Sequence, residues 1–223
     1  MKPAILITGP PGIGKTTVCL RVCELLRERG HRPDGFLTEE IRGARGQRVG
    51  FTMASLDGSR SGSLATEHGG SGPRVGKYTV TMREWEPIAL PALDSALAGS
   101  SEVLVMDEIG KMELFSTGFV DRMRRLLHSK GTPLLATIAL NGGGLIAEAK
   151  QMPGVTLLTI THENRNSIAQ DIVDQLLSGV SPAHTGETPQ APVALGKGLG
   201  KGGYSGVGQP RRSRWKPVAK SAG

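Results

Sequence analysis

Residues 9–16 read Gly-Pro-Pro-Gly-Ile-Gly-Lys-Thr, and this stretch decides the fold of the chain. A short apolar run, residues 4–7, precedes it, and apolar residues recur at helical spacing from Lys15 to Gly30. Glycines let successive backbone N–H groups turn toward one phosphate, and a helix N-terminus adds positive potential. A plain turn followed by an exposed lysine is the alternative. The flanking strand and helix favour a phosphate-binding loop, with Lys15 on the β- and γ-phosphates and Thr16 on Mg²⁺.

An acidic pair, Asp107-Glu108, directly follows the apolar run at residues 103–106, which is typical of a strand buried on both faces. An aspartate at that strand end can hold a Mg²⁺-bound water or Thr16, and an adjacent glutamate can polarise the attacking water. An isolated acidic pair is as often a solvated loop or a helix start. Together with the phosphate-binding loop, the pair predicts Thr16 and Asp107 as metal-site residues and Lys15 and Glu108 as catalytic residues.

Strands and helices alternate along the rest of the chain. Apolar patterns predict a hairpin over residues 35–38 and 49–53, strands at 78–80, 134–138 and 155–160, and helices over 88–97, 119–127 and 168–177. Pro91 is awkward beyond the first turn of its helix. Residues 56–74 have few apolar side chains and predict a long mobile loop. The alternation indicates an α/β fold in which helices cover both faces of a mainly parallel sheet.

The net charge is unevenly distributed over the 223 residues. Residues 179–223 hold seven basic side chains and one acid, so they carry +6 of the net +7 and leave +1 for residues 1–178. They are rich in Gly, Pro and Ser, and their few apolar side chains cannot offset an ordering cost of about 1–2 kcal/mol per residue. The sequence predicts one domain, 1–178, and a disordered basic tail, 179–223. Nucleic acid is expected as a partner only through that tail.

The two cysteines, Cys19 and Cys23, are four residues apart in the first predicted helix. This spacing favours two small core residues over a disulfide or a metal site, and the five histidines form no metal pattern. No apolar run reaches the ~18 residues of a membrane span, and a strand begins too close to Met1 for a signal peptide. We expect a monomeric, intracellular, cytoplasmic protein without a membrane partner.

Five segments, in this order, resemble those of a known family. They are GPPGIGKTT (9–17), DGFLTEE (34–40), VGKYTV (75–80), DEIGKMEL (107–114) and THENRN (161–166). Over about residues 3–178 the chain resembles the P-loop nucleoside-triphosphatase family typified by cancer-related nucleoside-triphosphatase. The resemblance implies one compact P-loop domain that hydrolyses ATP, GTP, CTP and UTP to the diphosphate and phosphate, slowly and with Mg²⁺. The basic tail has no counterpart in that family.

The predicted nucleotide-binding residues come from two segments. They are Gly9, Pro10, Pro11, Gly12, Ile13, Gly14, Lys15, Thr16 and Thr17 of the loop, together with Asn164 and Arg165. The latter two follow a strand end, on the side where open α/β sheets bind ligands, and can reach the base or the γ-phosphate. Capping of the next helix by Thr161 with Asn164 is an equal alternative. Residues 38–40, which we expect to end a strand, carry acids that either join the metal's water shell or are solvated.

Two other functions remain open from the sequence. A nucleotide or small-molecule kinase would use the same phosphate loop, with residues 56–74 as a lid and Arg60 or Arg74 over the acceptor. A nucleic-acid-associated triphosphatase would bind through Arg211, Arg212, Arg214 and Trp215 of the tail. Phosphate release without any acceptor distinguishes hydrolysis from a kinase reaction.

Overall fold

The computed structural model of the protein describes residues 2–178 except Gly70 and Lys130. Its elements are β1 Ala4–Thr8, α1 Lys15–Glu28, β2 Pro33–Arg42, β3 Arg48–Ser55, β4 Ser61–Thr66, β5 Arg74–Val75, β6 Tyr78–Val80, α2 Met82–Leu97, β7 Val103–Ile109, α3 Thr117–His128, β8 Leu134–Ile138, α4 Leu145–Gln151, β9 Val155–Thr159 and α5 Ile168–Leu177. One turn of 3-10 helix, Glu113–Phe115, follows β7. The strands form one sheet in the order β5-β6-β4-β3-β2-β7-β8-β1-β9.

Five strands, β2-β7-β8-β1-β9, run parallel and form what we call the parallel half. Alternate residues of a strand point to opposite faces. In β1, Ile5 and Ile7 therefore join the core under α1 and α5, while Leu6 joins the core under α2, α3 and α4. The predicted α/β fold with helices on both faces is confirmed.

Four antiparallel strands, β3, β4, β6 and β5, extend the sheet beyond β2, and we call them the antiparallel extension. β2 pairs with β7 only through Phe36 and then continues to Arg42 as the first strand of a hairpin with β3. The predicted hairpin is confirmed. The expectation that residues 38–40 end a strand is wrong, because β2 continues past them to Arg42 and pairs there with β3 after its pairing with β7 has ended.

The prediction of a mobile loop over residues 56–74 is also wrong. β4 lies within it, β5 begins at its last residue, and Leu56, Leu64 and Ala65 are buried. Backbone pairing with β3 supplies most of what orders β4, so few apolar side chains are needed. Leu64 and Ala65 pack into the core beneath α2, which covers this part of the sheet.

Helix α2 continues through two prolines, Pro87 and Pro91. Pro91 has no N–H to donate to the carbonyl of Pro87, four residues earlier. Arg60, in the turn between β3 and β4, donates to that carbonyl from Nη1 at 2.6 Å. A side chain of the antiparallel extension therefore satisfies the carbonyl that the proline leaves without a helical partner.

Cys19 and Cys23 are buried on the inner face of α1, as predicted, and burial raises the pKa of the Cys23 thiol to about 12. Within residues 2–178, apart from the two gaps, no helix is long and apolar enough to cross a membrane. The expected disordered tail, residues 179–223, lies outside the described residues.

Candidate active site

The phosphate loop connects β1 to α1, as the sequence predicts. Gly9, Gly12 and Gly14 have φ angles of +149°, +77° and +113°, conformations that L side chains rarely adopt. A Cβ on Gly9 would lie 2.9 Å from the carbonyl oxygen of Ile160, just after β9. Glycine is required there because the loop starts against the end of a neighbouring strand. Gly14 then caps the N-terminus of α1, whose free amides face the loop.

The Lys15 ammonium lies over this loop. Its Nζ donates to the carbonyl oxygens of Gly9 at 3.0 Å and Pro10 at 3.3 Å. Lys15 is the first residue of α1, and these contacts hold its positive charge against the start of the loop. A flexible four-carbon stem can redirect such an ammonium to a bound phosphate oxygen.

Asp107 is the most heavily hydrogen-bonded carboxylate of the site and is only 2% exposed. Thr16 donates to Oδ2 at 2.6 Å, and Thr38 donates to the same oxygen at 3.3 Å. Thr137 donates to Oδ1. Hydroxyls from α1, β2 and β8 thus converge on one carboxylate at the end of β7, because the carboxyl ends of parallel strands share one edge of the sheet.

The donor set suits Mg²⁺. This ion takes one or two protein oxygens and completes its shell with water and substrate phosphates. The Thr16 hydroxyl and the Asp107 carboxylate provide two such oxygens beside the phosphate loop. Among the described residues no cluster of three or more His, Cys, Asp or Glu side chains could hold a metal on its own, so the arrangement fits an ion that arrives with phosphates.

Glu108 follows Asp107 and is partly buried. Burial raises the pKa of its carboxyl, the negative charge of Asp107 raises it further, and Lys15 opposes both. A carboxylate with a raised pKa next to a phosphate loop is a stronger proton acceptor than a solvated one. The role of Glu108 as the group that activates water stays a prediction.

Asn164 and Arg165 lie in the turn between β9 and α5. The Asn164 side chain is engaged in that turn, accepting from the Thr161 N–H at 2.8 Å and donating to the Thr159 carbonyl at 2.9 Å. The alternative that Thr161 and Asn164 cap the next helix is wrong, because α5 begins only at Ile168, with Ser167 at its N-cap, and these two residues close a turn before it. Arg165 instead reaches the phosphate loop, where its Nη1 donates to the Ile13 carbonyl at 3.5 Å. The turn thus places a guanidinium beside the loop.

A cavity of about 350 Å³ opens between α1 and the antiparallel extension. Its polar lining includes Thr16, Thr38 and Glu39, while Leu20 and Leu37 are apolar. Burial raises the pKa of Glu39. The cavity lies on the Asp107 side of Thr16, since Thr16 and Thr38 of its lining both donate to that carboxylate. Arg60 also lines it, although its guanidinium is held by the Pro87 carbonyl.

Sequence reasoning missed Thr137 as a contributor to the site, whereas the segment 107–114 predicts that Glu113 fixes the turn after the acidic pair. Thr137 is fully buried at the end of β8 and appears in the sequence only as a threonine within an apolar run. Its position at the carboxyl end of a central parallel strand was the available signal. Glu113 is 3% exposed in the turn after β7, where it accepts a hydrogen bond from the Gly110 N–H.

Comparison with known proteins identifies relatives of the whole described domain. A family model described as NTPase matches residues 4–173. The human cancer-related nucleoside-triphosphatase is 40% identical over 179 residues, which cover 76% of this chain and 94% of the relative. The crystal structure of THEP1 from Aquifex aeolicus superposes with a TM-score of 0.67 at 36% identity, over 78% of this chain and 98% of that one. The solution structure of the human protein gives a TM-score of 0.67 at 39% identity, over 80% and 100%.

These matches span the phosphate loop, the acidic strand end and the turn that carries Arg165. The resemblance inferred from five short segments is therefore confirmed over the domain as a whole. This chain belongs to the P-loop nucleoside-triphosphatase family of the cancer-related and THEP1 type, and it is a hydrolase.

Proposed function

We propose that the protein hydrolyses nucleoside triphosphates to the diphosphate and phosphate with Mg²⁺, and that ATP, GTP, CTP and UTP are all substrates. The observation that carries this proposal is the 2.6 Å hydrogen bond between Thr16 and Asp107, with Glu108 next in the chain. It joins the phosphate loop to the acidic strand end in one site. A loop with no metal partner and no base would bind phosphate but would not be equipped to hydrolyse it.

The proposed substrate contacts divide among three groups. The non-proline residues of the loop, 9 and 12–14, and Thr17 offer backbone amides to the β- and γ-phosphates, with the Lys15 ammonium between them. Pro10 and Pro11 have no N–H and contribute to the shape of the loop. Arg165 contacts the nucleotide from the β9 side, and Asn164 holds the turn that places it. Thr16 and Asp107 would hold Mg²⁺, which when bound neutralises phosphate charge.

In the proposed reaction, Glu108 accepts a proton from a water molecule as the water oxygen bonds to the γ-phosphorus. The bond between the γ-phosphorus and its bridging oxygen breaks, and the diphosphate leaves. Lys15 and the loop amides stabilise the charge on the transferring phosphoryl group. The hydroxyls of Thr38 and Thr137 hold Asp107 in place during this step.

A phosphate-release assay tests the proposal. Purified protein is mixed separately with ATP, GTP, CTP and UTP, in Mg²⁺ or in EDTA, with no other phosphate acceptor. Release from all four in Mg²⁺ alone is the expected result. Lys15→Ala should weaken nucleotide binding and turnover together, whereas Lys111→Ala, outside the phosphate loop, serves as the matched lysine control. Equal release in EDTA would contradict the metal requirement.

A kinase is the second candidate, favoured by the cavity on the Asp107 side of Thr16. A ligand there would lie next to the proposed γ-phosphate position. Residues 56–74 do not form the expected lid, however, because β4 and the start of β5 lie in that stretch. Arg60 is hydrogen-bonded to the Pro87 carbonyl of α2. Stoichiometric phosphate release in the acceptor-free assay supports the hydrolase. Release that begins only when a nucleoside monophosphate is added would favour the kinase.

We also propose that residues 1–178 suffice for hydrolysis and that the tail is separable from it. The family match ends at residue 173, and every proposed site residue precedes 178. A chain that ends at Ser178 should keep Mg²⁺-dependent hydrolysis. Any binding of nucleic acid should disappear with the tail and, in the full chain, fall steeply with salt. A truncated protein that binds nucleotide but does not hydrolyse it would contradict the division.

A further inference from the structure

Glu113 is a buried acid that the proposed reaction does not yet use. Its side chain is 3% exposed in the 3-10 turn after β7, and its Oε2 accepts the Gly110 N–H at 3.1 Å. Acidic side chains are rarely buried to this degree without a specific reason. One hydrogen bond to a turn amide explains the shape of the turn but not the choice of an ionisable group.

Gly110 brings this carboxyl close to that of Glu108. A Cβ on Gly110 would lie 2.9 Å from Glu113 Oε2 and 3.0 Å from Glu108 Oε1. Both oxygens therefore border the space that a side chain at residue 110 would fill, and they are within about 6 Å of each other, close enough for like charges to interact strongly. The glycine permits two carboxyls to pack on one side of the turn.

The two acids differ in their surroundings. Burial, together with the negative charges of Glu108 and Asp107 at the end of β7, raises the pKa of Glu113 to about 8. Burial also raises the pKa of Glu108, but Lys15, from the start of α1, opposes that shift. Glu113 therefore holds its proton at neutral pH.

We propose that Glu113 is a positioning residue for hydrolysis: buried across the turn at Gly110, its side chain limits where the Glu108 carboxyl can lie. This inference rests on the proposed role of Glu108 as the base. A neutral Glu113 fills the space beside Glu108 without adding a third negative charge near the γ-phosphate. Loss of its proton would bring that third charge next to Glu108 and Asp107.

The first test compares Glu113→Gln with the wild type between pH 6 and 9.5, with saturating ATP and Mg²⁺. Glutamine keeps the size of the side chain and an acceptor for Gly110, and it is neutral at every pH. The kcat of each protein is normalised to its own value at pH 7, so that the comparison concerns only the shape of the pH profile. We expect the wild-type kcat to fall as pH rises through about 8 and the variant to lack that fall. Matching pH profiles would overturn the proposal, since a merely structural acid predicts them.

The second test displaces the pair without removing either acid. Gly110→Ala puts a methyl group where the two flexible carboxyl ends now lie, so they move while the backbone can stay. We expect kcat to fall about ten-fold with KM and melting temperature unchanged, on the scale of a misplaced catalytic group. Gly143→Ala is the matched control, because nothing lies within 4 Å of its added Cβ. Wild-type kcat in Gly110→Ala would overturn the proposal, and Glu108→Gln, assayed in parallel, shows separately whether Glu108 is the base.

Discussion

The parallel half and the antiparallel extension belong to one sheet but contribute differently to the proposed site. In the parallel half, Lys15, Asp107 and Glu108 lie at or beside the carboxyl ends of strands, where side chains from separate elements meet. The extension contributes one wall of a cavity and the arginine that supports helix α2. Side chains that meet at the carboxyl ends of the parallel strands thus form the proposed site, and the extension shapes the cavity next to that site.

The largest expected effect is on Asp107, where the three hydroxyls converge. Asp107→Asn keeps the shape but removes the charge that would hold Mg²⁺, so we expect kcat/KM to fall by about 10³-fold, a loss of roughly 4 kcal/mol in transition-state stabilisation. Steady-state phosphate release measures it. Glu40→Gln in the extension is the control, since Glu40 is paired with Arg42 and Arg48 away from the site. An equal loss of kcat/KM in both variants would contradict the assignment of the proposed metal site to Asp107.

Gly35 lies on β2, where it pairs with Val105 of β7, one residue before β2 begins to pair with β3 of the extension. A Cβ there would lie 1.9 Å from the Val105 carbonyl oxygen, and the φ angle is +129°. Gly35→Ala should lower the free energy of unfolding by about 3 kcal/mol, within the range of strained or overpacked core changes. Urea unfolding measures this, with Gly143→Ala as the neutral comparison. A loss below about 0.5 kcal/mol, the scale of an ordinary surface change, would show that the two strands can separate at little cost.

The pKa of Glu113 also predicts how stability depends on pH. The folded protein holds this proton up to about pH 8, whereas the unfolded chain releases it near the ordinary value of 4.5. Since the folded state binds more protons in that window, stability should fall as pH rises from 4.5 to 8, by an amount on the order of a few kcal/mol. Glu113→Gln should lack this contribution. Parallel stability curves for the two proteins, from urea unfolding at each pH, would contradict it.

The smallest effect is expected in the cavity of the extension. Ala54→Leu adds three carbons to its lining, next to Leu37 on the neighbouring strand. Because the proposed water, base and metal residues all lie in the parallel half or on its loops, hydrolysis should stay within about two-fold of the wild type. A ten-fold loss of phosphate release would mean that the cavity takes part in the reaction and would favour the kinase hypothesis.

The parallel half could be predicted from the sequence because the residue patterns that indicate its elements are local. The loop that contains Lys15 and the apolar strand before Asp107 each carry their pattern within about ten residues. β4 escaped prediction because backbone pairing with β3, a contact invisible in a polar stretch, orders it. Thr137 escaped for a related reason, because its importance comes from the Asp107 carboxylate to which it donates after folding. The sequence indicates a turn role for Glu113, but its proximity to the Glu108 carboxyl is visible only in the fold.

The proposed hydrolysis depends most directly on Glu108 as the group that activates water. The decisive measurement pairs equilibrium binding of a non-hydrolysable triphosphate with single-turnover phosphate release, in Glu108→Gln and in Glu67→Gln. Glu67 is the matched control because it is a partly buried acid that follows β4 of the extension and is paired with Lys77. We predict that Glu108→Gln binds the triphosphate normally and releases phosphate about 10²-fold more slowly, while Glu67→Gln matches the wild type in both. Wild-type release from Glu108→Gln would contradict the proposed role of Glu108.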